Sequence, residues 1–396
     1  MNQIKTNLWT KEFIILSSIN FFITLIYFLL NATITMYAMD EFSATTGQAG
    51  ITAGIFIIGA LIGRLFTGRL IQTKRILIFS LVLFVITTLL YYVEFGIFFL
   101  MLNRLINGIT VGIATTVVGT VVAITLPTSR KAEGISYFAV STALATGTGP
   151  FFGLFLSQNA GFKAIFTFSV LLGIISLVVA ILMKFPKNTM EVKKVKGHGI
   201  SNYIELKAVP IAIIIFIMSF CFSGIVSFIN LYAIEIGLVE TASFFFMVYT
   251  VFVLISRPFT GRLMDRKGAN LIIYPAIILY GVGLLLLSSA TNSVTLLLAG
   301  ALIALGFGNV SSISQALAIS LVEPHRVGLA TSTFFIFMDL GNGLGPTILG
   351  LVIPATGYSG LYVILGFIVF ISILLYYFLH GRKESRNRKQ LSIPNK

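Results

Sequence analysis

A chain of 396 residues with 57% hydrophobic and only 10% charged side chains lacks the polar surface that a soluble protein of this size needs. Lipid is therefore its solvent. The formal charge of +14 would by itself suit a nucleic-acid binder, so the placement of the charges has to decide between that reading and membrane topology.

The apolar residues come in unbroken blocks rather than in the alternation of barrel strands. The blocks have the length at which a helix crosses a hydrocarbon core of about 30 Å with its backbone groups bonded internally. In chain order the predicted spans are 13–37, 47–70, 74–95, 97–124, 132–156, 163–184, 209–234, 241–263, 269–289, 293–321, 327–353 and 360–379. That makes twelve. The first block is long and has no small-residue cleavage site, so it is expected to stay as an anchor. The single Cys221 permits no internal disulfide.

Twelve crossings put almost every base on one side. Lys5 and Lys11 precede the first span, and Arg64, Arg69, Lys74 and Arg75 surround the second connection. Arg130 and Lys131 follow span four, six lysines lie from Lys184 to Lys207, and Arg257 to Lys267 hold four further bases. Arg326 follows span ten, and the tail runs from Arg382 to Lys396. The opposite connections hold Asp40, Glu41, Glu94, Glu235 and Glu240, with Lys163 the one base. The positive-inside rule then makes both termini cytoplasmic, and nucleic acid is not an expected partner.

The one long polar interruption, 185–208, divides the chain into an N-terminal six-helix bundle (1–184), a cytoplasmic linker and a C-terminal six-helix bundle with a basic tail (209–396). The halves repeat one another. Gly63-Arg-Leu-Phe-Thr-Gly-Arg-Leu70 matches Ser256-Arg-Pro-Phe-Thr-Gly-Arg-Leu263 at six of eight positions. At a single offset, Arg130, Phe138, Gly149-Pro150 and Gly161 pair with Arg326, Phe334, Gly345-Pro346 and Gly357, and Asp40 has a counterpart in Glu235. The fold class is thus an all-α integral membrane protein of twelve helices in two pseudo-symmetric six-helix bundles, with substrate expected between the repeats near the midplane.

Gly261-Arg-Leu-Met-Asp-Arg-Lys-Gly268, expected in the loop between spans eight and nine, resembles the loop motif of the major facilitator superfamily. The resemblance implies the major facilitator fold and secondary transport. The first-half copy, Gly68-Arg69 onward, has Gln72 where the family's Asp stands and lacks the second Gly. An Asp and Arg just inside a helix end can grip the charged end of a helix in the facing bundle, and Asp265 should then dominate over Gln72. Alternatively, Arg262, Asp265, Arg266 and Gly268 serve only a tight turn and headgroup anchoring. Ala145-Thr-Gly-Thr-Gly149-Pro150-Phe-Phe-Gly153 resembles the helix-five motif of drug–proton antiporters, with Leu154 at the usual second Gly, which implies an exporter. Its second-half copy makes the feature partly architectural. Arg104-Leu-Ile-Asn-Gly-Ile-Thr-Val-Gly112 resembles the family's helix-four motif, which implies that Arg104 takes part in proton coupling.

Only two ionisable residues clearly stand deep inside predicted spans, where even lenient scales set a cost of about 2.5–3.5 kcal/mol. Arg104 is about 10 Å into span four and Asp339 about 18 Å into span eleven, at roughly 1.5 Å per residue. Asp339 has Ala143 as its repeat mate, so the repeat does not require it. Proton carrier, substrate contact and structural ion pair are all open roles for it. Asn20 and Asn31 in span one, and Asn309 and Gln315 in span ten, are candidates to line a cavity or to bond helix to helix.

No phosphate loop, metal-ligand spacing or nucleophile elbow appears, so neither an enzyme nor a cofactor or metal is called for. The function read from the sequence is proton-coupled efflux of a small organic compound, drug-like or amphiphilic, by alternating access in the cell membrane. A functional monomer in contact with lipid suffices. A dedicated exporter of a polar metabolite such as a metallophore or siderophore, an importer, a lipid flippase and a channel remain alternatives.

Overall fold

The structure is a computed structural model that describes residues 8–68, 70, 73–185 and 199–391. Arg69 and Gln72 of the first loop motif, Lys5, the linker stretch 186–198 and the last five residues lie outside the described residues.

Helix α1 spans Lys11–Phe42 and starts where the Phe13 N–H donates to Thr10 Oγ1 at 3.1 Å. It continues past the expected end at 37, so Asp40 and Glu41 sit in its last turn, and Ser43 at φ 48° closes it. Thr45 and Gln48 form a capping box for α2, Thr46–Thr67, which stops three residues earlier than expected. Thr73 caps α3, Lys74–Leu89, and α4 is Ile97–Thr125.

The stretch Lys131–Leu182 bends into α5 and α6 at Gly161, whose φ of 76° suits a residue without Cβ. Val327–Tyr376 bends in the same way into α11 and α12 at Gly357, φ 67°. These two glycines are the repeat mates found in the sequence. Between them lie α7 Val209–Glu235, α8 Val239–Lys267, α9 Asn270–Ser288 and α10 Ser293–Ser320. α10 contains a π turn at Ala304–Gly308. A short α13, Arg382–Leu391, ends the described chain.

Helix α8 corrects one expectation. Arg262, Asp265 and Arg266 are helical rather than in a loop, and only Gly268, at φ 83°, breaks away. Among the described residues eleven apolar stretches are long enough to cross a membrane. The last of them, Pro324–Arg386, holds both α11 and α12, so twelve helices are present, as expected.

The chain forms two compact units. The first is Met1–Thr128, Phe138–Glu205 and Glu323–Ile336, and the second is Ser129–Tyr137, Leu206–Val322 and Phe337–Lys396. In the first unit α4 is the most enclosed helix, with Val117, Val118, Val121 and Val122 fully buried. Its approach to α2 depends on four glycines spaced as two Gly-x-x-x-Gly pairs. A Cβ on Gly59 would lie 2.1 Å from the Leu105 carbonyl oxygen, and one on Gly108 would lie 2.1 Å from that of Phe56. Gly63 and Gly112 meet the carbonyls of Ile109 and Ala60 at 2.4 and 2.3 Å. Lipid provides no hydrophobic drive between helices, so such backbone contact is what holds the pair. In the second unit α10 is the enclosed helix, buried along Asn309–Ile319 apart from the partly exposed Ser311.

Replacing Gly108 with Val has to part α2 from α4. We expect folded protein to be lost or its unfolding midpoint in detergent to fall by several degrees, whereas the same change at Gly54, which has open space around it, has little effect.

Candidate functional site

Helix α4 delivers Arg104 into the first unit with no solvent exposure at all. Its Nε donates to the Thr52 carbonyl at 3.3 Å, Nη1 to the Tyr91 hydroxyl at 3.5 Å and Nη2 to Asn31 Oδ1 at 3.3 Å. The guanidinium carbon lies 4.7 Å from the centre of the Phe56 ring, a cation–π contact. All of these partners are neutral. The positive charge is therefore solvated by dipoles and a ring, which leaves it able to attract an anion or repel a proton. Two further polar residues on the same helix are tied to α3. Asn103 Nδ2 donates to the Thr87 carbonyl at 2.9 Å, and Asn107 Nδ2 to Thr87 Oγ1 at 2.8 Å.

Of the other sequence candidates, Asn31 joins Arg104, whereas Asn20 bonds helix to helix. Its Nδ2 donates to Ser141 Oγ at 2.8 Å and Thr142 Oγ1 at 3.0 Å, which ties α1 to α5. The same interface contains the helix-five glycines. A Cβ on Gly149 would lie 2.6 Å from Phe28 Cβ, and one on Gly153 would lie 2.7 Å from the Leu29 carbonyl, directly around Pro150.

In the second unit Asn309 is engaged on both ends of its amide. Oδ1 accepts from Ser256 and Thr260 at 3.2 and 3.0 Å, and Nδ2 donates to the Leu305 carbonyl at 2.7 Å. Gln315 is 5% exposed on α10. Asp339 is half-buried on α11 and is not without a partner.

The motif residues of α8 build a charged cap inside the second unit. Asp265 accepts the Ala132 N–H at 3.0 Å on one oxygen and the Glu133 N–H at 2.9 Å on the other. Those are orphan donors in the first turn of α5, where the helix dipole favours a carboxylate. Glu133, 3% exposed at its side chain, is gripped from both sides, by Arg130 Nε at 2.7 Å and by Arg262 Nε at 2.6 Å. Gly261 is required here because a Cβ would lie 2.6 Å from the Glu133 Cα. Arg266 is exposed.

The first-unit copy is built differently. Gly68 lies where a Cβ would meet that of Ser332 at 2.5 Å, and Ser332 Oγ donates to the Arg64 carbonyl at 2.6 Å. Arg326, the mate of Arg130, pairs with Glu205 from the end of the linker, and the Glu205 N–H donates to Thr333 Oγ1 at 2.8 Å.

Sequence reasoning missed Glu133 and Glu205. It also took Arg64 and Arg257 for connection charges, although they are 6% and 3% exposed. Helix length explains the error: α2 and α8 carry both residues inside the packed helices, while Arg75, Arg262, Arg266 and Lys267 further along are exposed.

These are features of a helical protein that works across a lipid bilayer. The sequence profile of the Major Facilitator Superfamily matches residues 16–322 and, in an overlapping second match, 241–395, and the chain belongs to that superfamily. It is a multi-pass membrane transporter of small molecules and not an enzyme.

The chain is similar to an uncharacterized MFS-type transporter of Methanocaldococcus jannaschii, 26% identical over 81% of this chain and 85% of that protein. It is also similar to the staphylopine export protein of Staphylococcus aureus, 20% identical over 90% of this chain and 94% of that one. The solved structure of the proton:xylose symporter XylE shares the fold with a TM-score of 0.72 at 13% identity, covering 92% of this chain and 94% of that one.

Removing the Asp265 carboxylate as Asp265→Ala leaves two buried N–H groups unanswered. The expected loss is about 0.5–2 kcal/mol, read as a lower unfolding midpoint, and Asp265→Asn should recover part of it.

Proposed function

We propose that this transporter exports a small organic compound across the cell membrane in exchange for protons, by alternating access of two six-helix bundles, 1–184 and 209–396, joined by the linker 185–208. The single observation that carries the reading is Arg104. A guanidinium wholly enclosed on α4 and ringed by neutral dipoles has no structural counter-charge among the described residues, and an intramembrane charge kept at that cost supports a role in the transport cycle. Asp339, the one acidic residue deep in a span, supplies the proton-carrying carboxylate of the cycle in this reading.

Export is supported by the resemblance of Gly149, Pro150 and Gly153 to the helix-five motif of drug–proton antiporters and by the similarity to a staphylopine export protein. That similarity also favours a polar metabolite, a metallophore for instance, as the second reading of the substrate. The Asp265 cap and the Glu133 ion pairs supply a latch that holds one state of the cycle until it is broken. The side-selective bases support cytoplasmic termini, and a single chain in lipid is the working unit.

Two measurements test this. In proteoliposomes an imposed pH gradient drives substrate movement by the wild type, and Asp339→Asn abolishes that coupling while expression and unfolding midpoint hold. Unchanged gradient-driven flux removes Asp339 from the mechanism. Comparing metabolites and added drugs in the medium of expressing and deleted cells then gives direction: greater intracellular depletion in the deletion strain contradicts export.

A further inference from the structure

Arg257 lies on α8, ten residues before the helix ends at Lys267 and so roughly 15 Å inside it. It is 3% exposed, and its Nε and Nη1 are sealed from solvent without a hydrogen-bond partner. Among the described residues no carboxylate reaches it, no aromatic ring lies over it, and the one titratable group that interacts with it is the neutral phenol of Tyr249, two turns back on the same helix. The polar side chains beside it are already used, since Ser256 and Thr260 both donate to Asn309 Oδ1.

Its repeat mate differs in one respect: Arg64, buried as well, lays its guanidinium 4.5 Å from the centre of the Phe335 ring, a contact that Arg257 lacks among the described residues. A guanidinium does not shed its proton, so the charge at Arg257 persists and has to be answered by something other than deprotonation.

We propose that Arg257 anchors the carboxylate of the transported compound, and that this compound is therefore an organic anion. The unbonded Nε and Nη1 are donors of the fork that matches two carboxylate oxygens. Two oxygens held side by side are what a carboxylate offers and a monatomic anion does not. The Tyr249 ring lies 5.4 Å from that of Phe222, which stacks on Phe307 at 4.1 Å and 11°, so the surroundings of Arg257 on this side are buried apolar core. The inference rests on the export reading and narrows its substrate class.

The test uses the full chain in phosphatidylcholine nanodiscs, with benzoate, its neutral isostere benzamide and chloride as probes of thermal unfolding. Benzoate is expected to raise the midpoint saturably in the wild type, benzamide not to, and added chloride not to reproduce the shift. Arg257→Gln should weaken benzoate at least about tenfold, the loss of a charge-assisted pair. Arg257→Lys keeps the charge without the fork and decides the matter if the Gln variant fails to fold: it should also weaken benzoate, and unchanged affinity overturns the proposal. So does the absence of a benzoate shift in the wild type, an equal shift with benzamide, or a chloride shift that benzoate cannot exceed.

Binding is read here without transport, so the two readings fail separately. A wild type that exports other compounds yet ignores benzoate loses the anion site and keeps export. One that binds benzoate through Arg257 but moves nothing out of cells keeps the site and loses export.

Discussion

Desolvation of charge is the constraint around which each unit is arranged. In a bilayer a guanidinium has no water to fall back on, so the fold has to bring dipoles, rings or carboxylates to it. Around Arg104 it brings a carbonyl, a phenol, an amide and the face of Phe56, drawn from α1, α2 and the end of α3. The glycine contacts between α2 and α4 follow from the same need, because only helices in backbone contact keep the Thr52 carbonyl and Phe56 within reach of a residue on α4. Packing and electrostatics are one requirement there.

The two repeats meet that constraint with different chemistry. Arg130 finds its carboxylate three residues on, in Glu133, which Arg262 also holds. At the position of Glu133 the second repeat has Leu329, and Arg326 takes Glu205 from the linker instead. The linker end is thereby part of the packed first unit, held through Thr333 and Ser201 as well. Duplication set the backbone pattern, and the side chains have since diverged at the positions where charge has to be answered.

Much of the fold was legible because it is written in local rules. Spans follow from hydropathy, and the repeat follows from register. The matched glycines at Gly161 and Gly357 prove to share a positive φ that only the structure displays. The site was legible only where one residue departs from its surroundings, as Arg104 does in an apolar helix. Glu133 and Arg257 stayed hidden for the opposite reason: each belongs to a stretch that holds several charges, where sequence cannot tell the enclosed residue from its solvated neighbours. Asn20 illustrates a third case. Its polarity was visible, but its bonds to Ser141 and Thr142 lie 121 and 122 residues away.

The single-residue joints between α5 and α6 and between α11 and α12 have a mechanical consequence. A joint of one residue has almost no slack, so each pair of helices is stiff at its elbow and behaves as a bent lever. Tilting one arm turns the other with it. The far ends are tied by bonds of their own, Asp265 to the start of α5, Lys74 to the end of α6 and Asn270 to Tyr376 at the end of α12, so a rotation about the elbow has to carry those partners or release them. A glycine at each elbow takes the positive φ without strain, so the chain turns there in one residue without either helix unwinding.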